Sequence, residues 1–151
     1  MTGELNEQEI NNILSSQIIG HLACCSKNHP YVVPVIYTYD GKYIYGQSFE
    51  GKKIDLMREN PNVCFQVDIT NNTSTWQSVL VFGHFEEQVG RAEKKVRQLL
   101  MNKIVPLMTT SEIHKHEHDE GEGHEIIDDE RIKPIVFGIK INEKCGRFEK
   151  R

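Results

Sequence analysis

Three apolar runs, rich in β-branched and aromatic residues, follow one another early in the chain with only short turns between them. They are Ile18 to Ser26, Tyr31 to Tyr39 and Lys42 to Gln47. The second turn is Asp40-Gly41, a strong two-residue hairpin signal. Strands joined this closely pair antiparallel, because a parallel pair needs a long crossover connection. The sequence therefore predicts an antiparallel sheet.

The rest of the pattern adds strands and helices of ordinary length. Asn6 followed by Glu9 resembles a capping box at the start of the first helix, and Gly83 indicates a bulge in a long strand. The expected fold is mainly β with flanking helices, in one domain over residues 1–151. The expected helices are Leu5 to Gln17, Ser48 to Asn60 and Ala92 to Met101; the expected strands are Asn62 to Asp68, Ser78 to Gln88 and Ile135 to Ile141, before a polar tail from Glu143 to Arg151.

Charge and hydropathy exclude several classes of protein. The net charge of −4 leaves no electrostatic footprint for nucleic acid. No apolar run approaches the roughly 18 residues that span a bilayer. The polar, acidic start from Met1 to Gln8 does not resemble a secretory signal, so we expect a cytoplasmic protein. The four cysteines lack CxxC spacing, which favours reduced structural thiols.

The stretch from Tyr45 to Lys53 has the features of a phosphate site. A strand ends, Ser48 and Gly51 follow, and Lys52 and Lys53 open a helix. Backbone amides at a helix start carry unsatisfied donors and partial positive charge, so they attract anions. The lysines add two ammonium groups and Ser48 adds a hydroxyl donor. A solvated helix terminus is the plainer interpretation of this motif taken alone.

Two other strands carry polar or unusual residues. Val33-Pro34-Val35 places a proline inside a strand, which indicates either an ordinary edge strand or one whose free backbone groups meet a flat ligand. Gln77 and Ser78 follow Trp76 at the start of another strand, where they can hydrogen-bond a ligand. His84 is interpreted as an ordinary strand histidine, and no residue qualifies as a catalytic acid or base.

The order of these features resembles the pyridoxamine-phosphate-oxidase-like FMN-binding split barrels, in particular their nitroimidazole-resistance branch. The resemblance runs from about Leu5 to Val89 and more loosely over Pro134 to Phe148. It is carried by the following short collinear segments: Gly20-His21-Leu22-Ala23, Pro30-Tyr31-Val32-Val33-Pro34-Val35, Tyr39-Asp40-Gly41, Ile44-Tyr45, Glu50-Gly51-Lys52-Lys53, Asn60-Pro61-Asn62-Val63-Cys64-Phe65, Ser78-Val79-Leu80-Val81-Phe82-Gly83 and Gly146-Arg147-Phe148.

The resemblance implies a six-stranded antiparallel split β-barrel that forms a homodimer, with FMN at the subunit interface. Val33, Pro34 and Val35 would border the isoalloxazine through their backbone. The remaining cofactor contacts implied by the resemblance are Ser48, Lys52 and Lys53 on the phosphate, and Ser78 with Gln77 from a neighbouring strand.

The chain departs from the family pattern at three places. The family loop before Glu50-Gly51 is often one residue longer than it is here. Many members of the nitroimidazole-resistance branch carry a histidine near the flavin where Gln47 stands here, so chemistry assigned to that side chain does not transfer. Residues 109–130 form an acidic, histidine-rich insertion, expected to be a flexible loop. Weak metal binding there is an alternative, and its candidate ligands are His114, His116, His118 and His124.

The function expected on these grounds is that of an FMN-dependent oxidoreductase that reduces a small or planar substrate, nitro-aromatic compounds included. Pyridoxamine-phosphate oxidation itself is disfavoured, because the arginine-rich substrate-binding features of the true oxidases have no match. The alternatives are a flavin- or haem-binding module without turnover, and metal binding through the histidine-rich insertion.

Overall fold

A computed structural model describes residues 1–107 and 133–151 of the chain. Within these residues, three helices accompany eight strands, all antiparallel, in one sheet of order β3-β2-β6-β7-β8-β5-β4 with β1 paired to β8. The elements are β1 (Thr2–Glu4), α1 (Glu7–Ser16), β2 (Ile19–Ser26), β3 (His29–Ile36), β4 (Thr38–Tyr39), β5 (Tyr43–Ser48), α2 (Lys52–Glu59), β6 (Asn62–Asn72), β7 (Thr75–Glu87), α3 (Arg91–Ile104), a 3₁₀ turn (Val105–Leu107) and β8 (Ile135–Lys150).

The predicted fold class is confirmed. The six expected strands are present as β2, β3, β5, β6, β7 and β8, and the two short strands β1 and β4 extend the sheet. The capping box of α1 forms as predicted, since Asn6 Oδ1 accepts from the Glu9 N–H and Glu9 Oε1 accepts from the Asn6 N–H.

The predicted second strand, Tyr31 to Tyr39, is divided at Tyr37. Its first part, β3, pairs with β2, whereas its short second part, β4, pairs with β5 on the far edge of the sheet. Tyr37 is fully buried at this corner, and its hydroxyl donates to the Leu14 carbonyl of α1. The buried ring and its hydrogen bond fix the point at which the chain leaves one edge for the other.

The prediction of a polar tail from Glu143 is wrong, because β8 continues to Lys150 and pairs with β7 and β1. Gly146 packs against Leu5 and Ile10, and Phe148 packs against the core. The bulge or bend predicted at Gly83 coincides with a register shift between Phe82 and Gly83, but the extra residue lies in the partner strand β8 and not in β7. The unpaired residue is Asn142 of β8, and the shift brings the small residue Gly146 and the aromatic Phe148 onto the inner face.

One main core fills the space enclosed by the curved sheet and α1. Phe65, Val79, Val81 and Ile139 are fully buried there. A smaller cluster lies on the other side of β5 and β8, where Val96 and Leu100 of α3 pack. No helix among the described residues is long and apolar enough to cross a membrane.

Candidate functional site

The connection from β5 to α2 carries the residues predicted to hold a phosphate. α2 begins at Lys52, and Gly51 at its N-cap is extended and offers no side-chain acceptor to the first turn. The amides of that turn therefore keep their hydrogen-bonding capacity for an external acceptor. The two lysines stand at the helix start as predicted, but the helix begins four residues after Ser48 and not at Ser48 as expected.

Ser48 and Lys53 are brought into contact, and together with the neighbouring Lys52 they are called the Ser48–Lys53 cluster. Lys53 Nζ donates to Ser48 Oγ at 2.7 Å, and Ser48 Oγ donates to the Phe49 carbonyl at 3.1 Å. Lys52 Nζ lies 5.3 Å from the centre of the Tyr31 ring, which places the β3 strand beside α2. In the described part of the chain, neither lysine forms an ion pair with a carboxylate. Both ammonium charges are thus left for an external anion.

An arginine on α2 braces the loop that carries this cluster. The Arg58 guanidinium donates to both Glu50 carboxylate oxygens, at 2.8 and 2.9 Å, and also to Glu87 of β7. The hydrogen bonds from Glu50 and Glu87 raise the pKa of Arg58 above its usual value. The loop is therefore tied to the helix that follows it and to β7. Its carboxylate, Glu50, pairs with Arg58 and not with Lys52 or Lys53.

The Val33–Val35 stretch lies on β3, which is an edge strand with β2 as its partner. Val35 is buried and approaches Gly46 of β5, where an added Cβ would lie 3.1 Å from Val35 Cγ1. Pro34 is exposed and stands opposite His21. Because proline has no N–H to offer a neighbouring strand, its place on an edge agrees with the sequence interpretation.

A groove of about 660 Å³ crosses the surface beside this edge strand. It lies on the outer face, defined as the side of β3, β2, β6 and β7 that points away from the main core. We call it the outer groove. Its lining comes from Ala23, Cys24, Cys25, Pro30, Tyr31, Val32, Asn62, Val63, Cys64, Phe82, Gly83 and Asn142. It is mostly apolar. The Tyr31 ring, over which Lys52 lies, packs against the main core, whereas the neighbouring Val32 is exposed on the outer face.

Two of the thiols beside the groove, those of Cys24 and Cys64, have raised pKa values. Burial is the main cause that raises the pKa of Cys24, and Lys53 partly opposes it. Burial likewise raises the pKa of Cys64. All four cysteines are free, as the sequence predicted. A thiol with a raised pKa is a poor nucleophile near neutral pH.

Gln77 and Ser78 do not lie near the Ser48–Lys53 cluster within one chain. Ser78 stands opposite Asp68 and Arg147, whereas Ser48 stands opposite Ile135 near the other end of β8. Ser78 and Glu87 lie nine positions apart along β7, which is a path of about 30 Å along an extended strand. The Ser78 hydroxyl instead accepts from the Gln66 amide at 3.0 Å.

The remaining candidate residues are Gln47 and the four histidines of the predicted insertion. Gln47 is exposed beside Ser48 at the end of β5. The metal-ligand candidates His114, His116, His118 and His124 lie outside the described residues, as does the predicted insertion 109–130. Over residues 1–107 and 133–151, no group of three or more His, Cys, Asp or Glu side chains is placed to hold a metal ion.

Sequence reasoning missed Tyr31 as a neighbour of Lys52 and the bracing of Glu50 by Arg58. Residues at positions 31 and 52 meet only because β3 folds back beside α2. Glu50 and Arg58 lie eight residues apart across a helix start, a spacing that carries no local signal. The helix start and its positive charges could be predicted because Ser48, Lys52 and Lys53 are close in sequence.

Comparison with known structures finds the same architecture elsewhere. An FAD-binding protein from Mesorhizobium loti superposes with a TM-score of 0.77 at 29% identity, covering 100% of this chain and 98% of its own. A candidate 5-nitroimidazole antibiotic resistance protein from Bacteroides thetaiotaomicron has a TM-score of 0.71 at 18% identity, over 98% and 87%. An FAD-binding protein from Mycobacterium smegmatis has a TM-score of 0.63 at 15% identity, over 98% and 100%. The last two show likeness of fold alone.

Sequence comparison gives the family. An uncharacterized protein of Rhizobium meliloti (strain 1021), RA0666, is 35% identical over 83 residues, which are 55% of this chain and 55% of that protein. The chain thus spans about half the length of that curated relative. The sequence pattern described as pyridoxamine 5'-phosphate oxidase matches residues 6–129, most of the chain. With its antiparallel split-barrel fold, the chain belongs to the pyridoxamine 5'-phosphate oxidase family.

Proposed function

We propose that this protein binds a flavin, specifically FMN, and acts as an oxidoreductase on a small or planar substrate, nitro-aromatic compounds included. The observation that carries the proposal is the Ser48–Lys53 cluster, where Lys53 Nζ meets Ser48 Oγ at 2.7 Å beside a helix start with no side-chain cap. Family membership and the FAD-binding protein of Mesorhizobium loti support a flavin as the ligand.

The cluster suits the terminal phosphate of FMN. Lys53, the Ser48 hydroxyl and the free helix-start amides supply hydrogen-bond donors close together, and Lys52 adds a second ammonium group at the same helix start. Lys53 Nζ already donates to Ser48 Oγ, which donates to the Phe49 carbonyl. A bound phosphate oxygen would take the place of one of these partners. The outer groove has room and apolar lining for a ring system.

The protein part would bind and orient the flavin and keep water from its ring, whereas hydride and electron transfer are the chemistry that the flavin supplies when bound. No described side chain stands out as a general acid or base at the groove. We therefore assign no catalytic residue. Turnover would depend on an external reductant such as a nicotinamide nucleotide.

We further propose that the working unit is a homodimer in the cytoplasm. The outer face of one chain carries exposed apolar side chains, among them Val32, Ile36 and Phe82. A patch of this kind usually marks an interaction surface. A second copy seated there would also provide the Ser78 side chain, which lies too far along β7 to reach the first chain's cluster. Four free cysteines suit a reducing compartment.

The visible absorption spectrum of the untreated protein tests the leading proposal. Two flavin bands are expected, with bleaching on addition of a reduced nicotinamide nucleotide and recovery when a nitro-aromatic substrate is added. Bands without bleaching would indicate a flavin-binding module rather than an oxidoreductase. A single Soret band would identify haem instead. A colourless protein that takes up neither ligand would exclude both.

The Lys52→Ala/Lys53→Ala variant tests the phosphate site. It removes two charge-assisted contacts worth roughly 1.5–3 kcal/mol each, so FMN affinity should fall by more than about tenfold. Riboflavin, which has no phosphate, should bind almost as before. Titration calorimetry with both ligands measures this difference.

The control is the Arg91→Ala/Lys94→Ala variant, which removes two exposed positive charges from α3 without touching the cluster. Its FMN affinity should equal that of the wild type. An equal loss of FMN and riboflavin affinity in the lysine variant would show damage to the fold and would count against the phosphate site.

A further inference from the structure

The loop that carries the proposed phosphate site also carries a carboxylate. Glu50 lies two residues after Ser48 and two residues before Lys52. Since successive Cα atoms are about 3.8 Å apart, the Cα atom of Glu50 lies within about 7.6 Å of the Cα atoms of both residues. Physiological salt screens charges only beyond roughly 8 Å, so a free charge on Glu50 would act on the site. It would repel any anion held there unless a cation neutralised it.

Arg58 supplies that cation. It belongs to the last turn of α2, and its side chain reaches back along the helix, which is the direction in which helical side chains lean. Its Nη1 and Nη2 donate to the two carboxylate oxygens of Glu50, at 2.8 and 2.9 Å. This two-pronged pairing engages both oxygens of the carboxylate, so Glu50 has its counter-ion on the helix and not in the Ser48–Lys53 cluster.

Loss of Arg58 would weaken the cluster in one of two ways. If Glu50 stayed unpaired, its charge would repel a phosphate, which carries close to two negative charges at neutral pH. If Glu50 turned towards the cluster, it would pair with Lys52 or Lys53 and compete with the phosphate for that ammonium group. Both outcomes lower the affinity for a phosphate, and neither acts on a ligand without charge.

A second carboxylate shares the same arginine but lies outside the loop. Arg58 Nε donates to Glu87, the last residue of β7. Arg58, Glu50 and Glu87 are all partly exposed, and ion pairs between such groups add little to stability. The chain thus provides a matched pair of carboxylates, because both bind Arg58 and only Glu50 belongs to the phosphate loop.

We infer that Arg58 is a positioning residue of the phosphate site. By holding the Glu50 carboxylate, it keeps the two lysines of the cluster available to an anion, and so it sets the preference of the protein for a phosphorylated flavin. The inference rests on the proposed function, which identifies the anion as the phosphate of FMN. It adds a residue that acts on cofactor selection through another side chain.

Calorimetric titration with FMN and with riboflavin tests the inference. The phosphate preference is defined as the Kd of riboflavin divided by the Kd of FMN. Arg58→Ala should lower this preference by about fivefold or more, because the Glu50 carboxylate then acts on the phosphate or on the lysines. The Kd of riboflavin should change by less than about twofold, since riboflavin carries no phosphate.

Two double variants separate the effect of Glu50 from a merely structural effect of Arg58. Arg58→Ala/Glu50→Gln removes the carboxylate of the loop together with its partner and should restore the preference to within about twofold of the wild type. Arg58→Ala/Glu87→Gln removes the other carboxylate and should stay as weak as Arg58→Ala. If Arg58 served only to brace the loop, both double variants would behave like Arg58→Ala.

Glu50→Gln alone should keep at least the wild-type preference, whereas a structural brace would lose strength in this variant too. The inference would be overturned by equal weakening of FMN and riboflavin in Arg58→Ala, by an unchanged preference in that variant, or by the absence of rescue in Arg58→Ala/Glu50→Gln. A wild type without any preference for FMN over riboflavin would refute the proposed phosphate site, and the inference with it.

Discussion

Tyr37 connects three parts of the molecule through one side chain. Its hydroxyl donates to the Leu14 carbonyl at 2.7 Å, and its ring meets the Phe65 ring edge-on at 5.1 Å. Lys103 Nζ lies 4.2 Å from the ring centre. Burial raises the pKa of the phenol well above its ordinary value of 10.0, and burial lowers the pKa of Lys103. Tyr37 therefore ties the β3–β4 corner to the last turn of α1.

The Tyr37→Phe variant should lower the free energy of unfolding by about 1–3 kcal/mol, because a last-turn carbonyl of α1 loses its donor inside the core. Since the ring remains, packing against Phe65 should be kept. Denaturant unfolding at pH 7 measures the loss. A stability equal to the wild type would show that water replaces the phenol.

The same variant should change the dependence of stability on alkaline pH. A group whose pKa is raised by folding stabilises the native state fully below its unfolded pKa, and this contribution is lost as pH rises through the folded value. For Tyr37 the loss begins near pH 10.0, so the wild type should lose more stability above that pH than Tyr37→Phe. Lys103 and Tyr45 titrate in both proteins, so the difference between the two curves isolates Tyr37.

β8 is the element whose extent the sequence predicted least well. Its first part, up to Ile141, was readable as an apolar run, but the part from Glu143 onwards was interpreted as a tail. Two facts hid it: its outward positions are polar, and the unpaired Asn142 shifts its alternation by one residue. Pairing with β7 and β1 decides its conformation, and neither partner is local in sequence.

A chain that stops at Asn142 should lose cooperative unfolding, because β1 and the first half of β7 would lose their partner and Leu5 and Ile10 would lose Gly146. Thermal melting followed by circular dichroism checks this. A chain shortened only by Arg151 is the control and should melt like the full protein. A sharp, unshifted transition in the truncated chain would mean that the late part of β8 is a dispensable tail after all.

The β5–α2 connection was predictable in kind because its signals are local. Ser48, Gly51 and the two lysines lie within six residues, and strand end, helix start and charge can be read together. The residues that surround them in space could not be predicted from the sequence. Tyr31 and the Arg58 brace to Glu87 depend on contacts between distant parts of the chain, and the distance from Ser78 depends on the full course of β7.

At the scale of the whole molecule, the outer face carries exposed apolar side chains among residues 1–107 and 133–151. α1 closes the core and α3 covers β5 and β8, whereas Phe82 on β7 stays 41% exposed and Ile19 on β2 stays 55% exposed. Burying such side chains is worth roughly 1.5–3 kcal/mol each. This is the physical reason to expect a second copy of the chain on this face.

Phe82→Asp should abolish that association, because a carboxylate would have to be desolvated opposite an apolar surface. Sedimentation equilibrium should give the single-chain mass of 17.4 kDa for this variant and twice that mass for the wild type. Val89→Asp introduces the same charge at an exposed apolar residue in the β7–α3 loop and should stay dimeric. A single-chain mass for the wild type would refute the homodimer.

The unpaired Asn142 has a consequence for comparing this protein with its relatives. It divides β8 into two segments whose inward positions have opposite parity: Phe137 and Ile139 before it, Gly146 and Phe148 after it. A single-residue gap placed wrongly in an alignment of this strand would match inward residues with outward ones over its whole second half. Homologous sequences can be compared residue by residue here only when the gap is anchored at position 142.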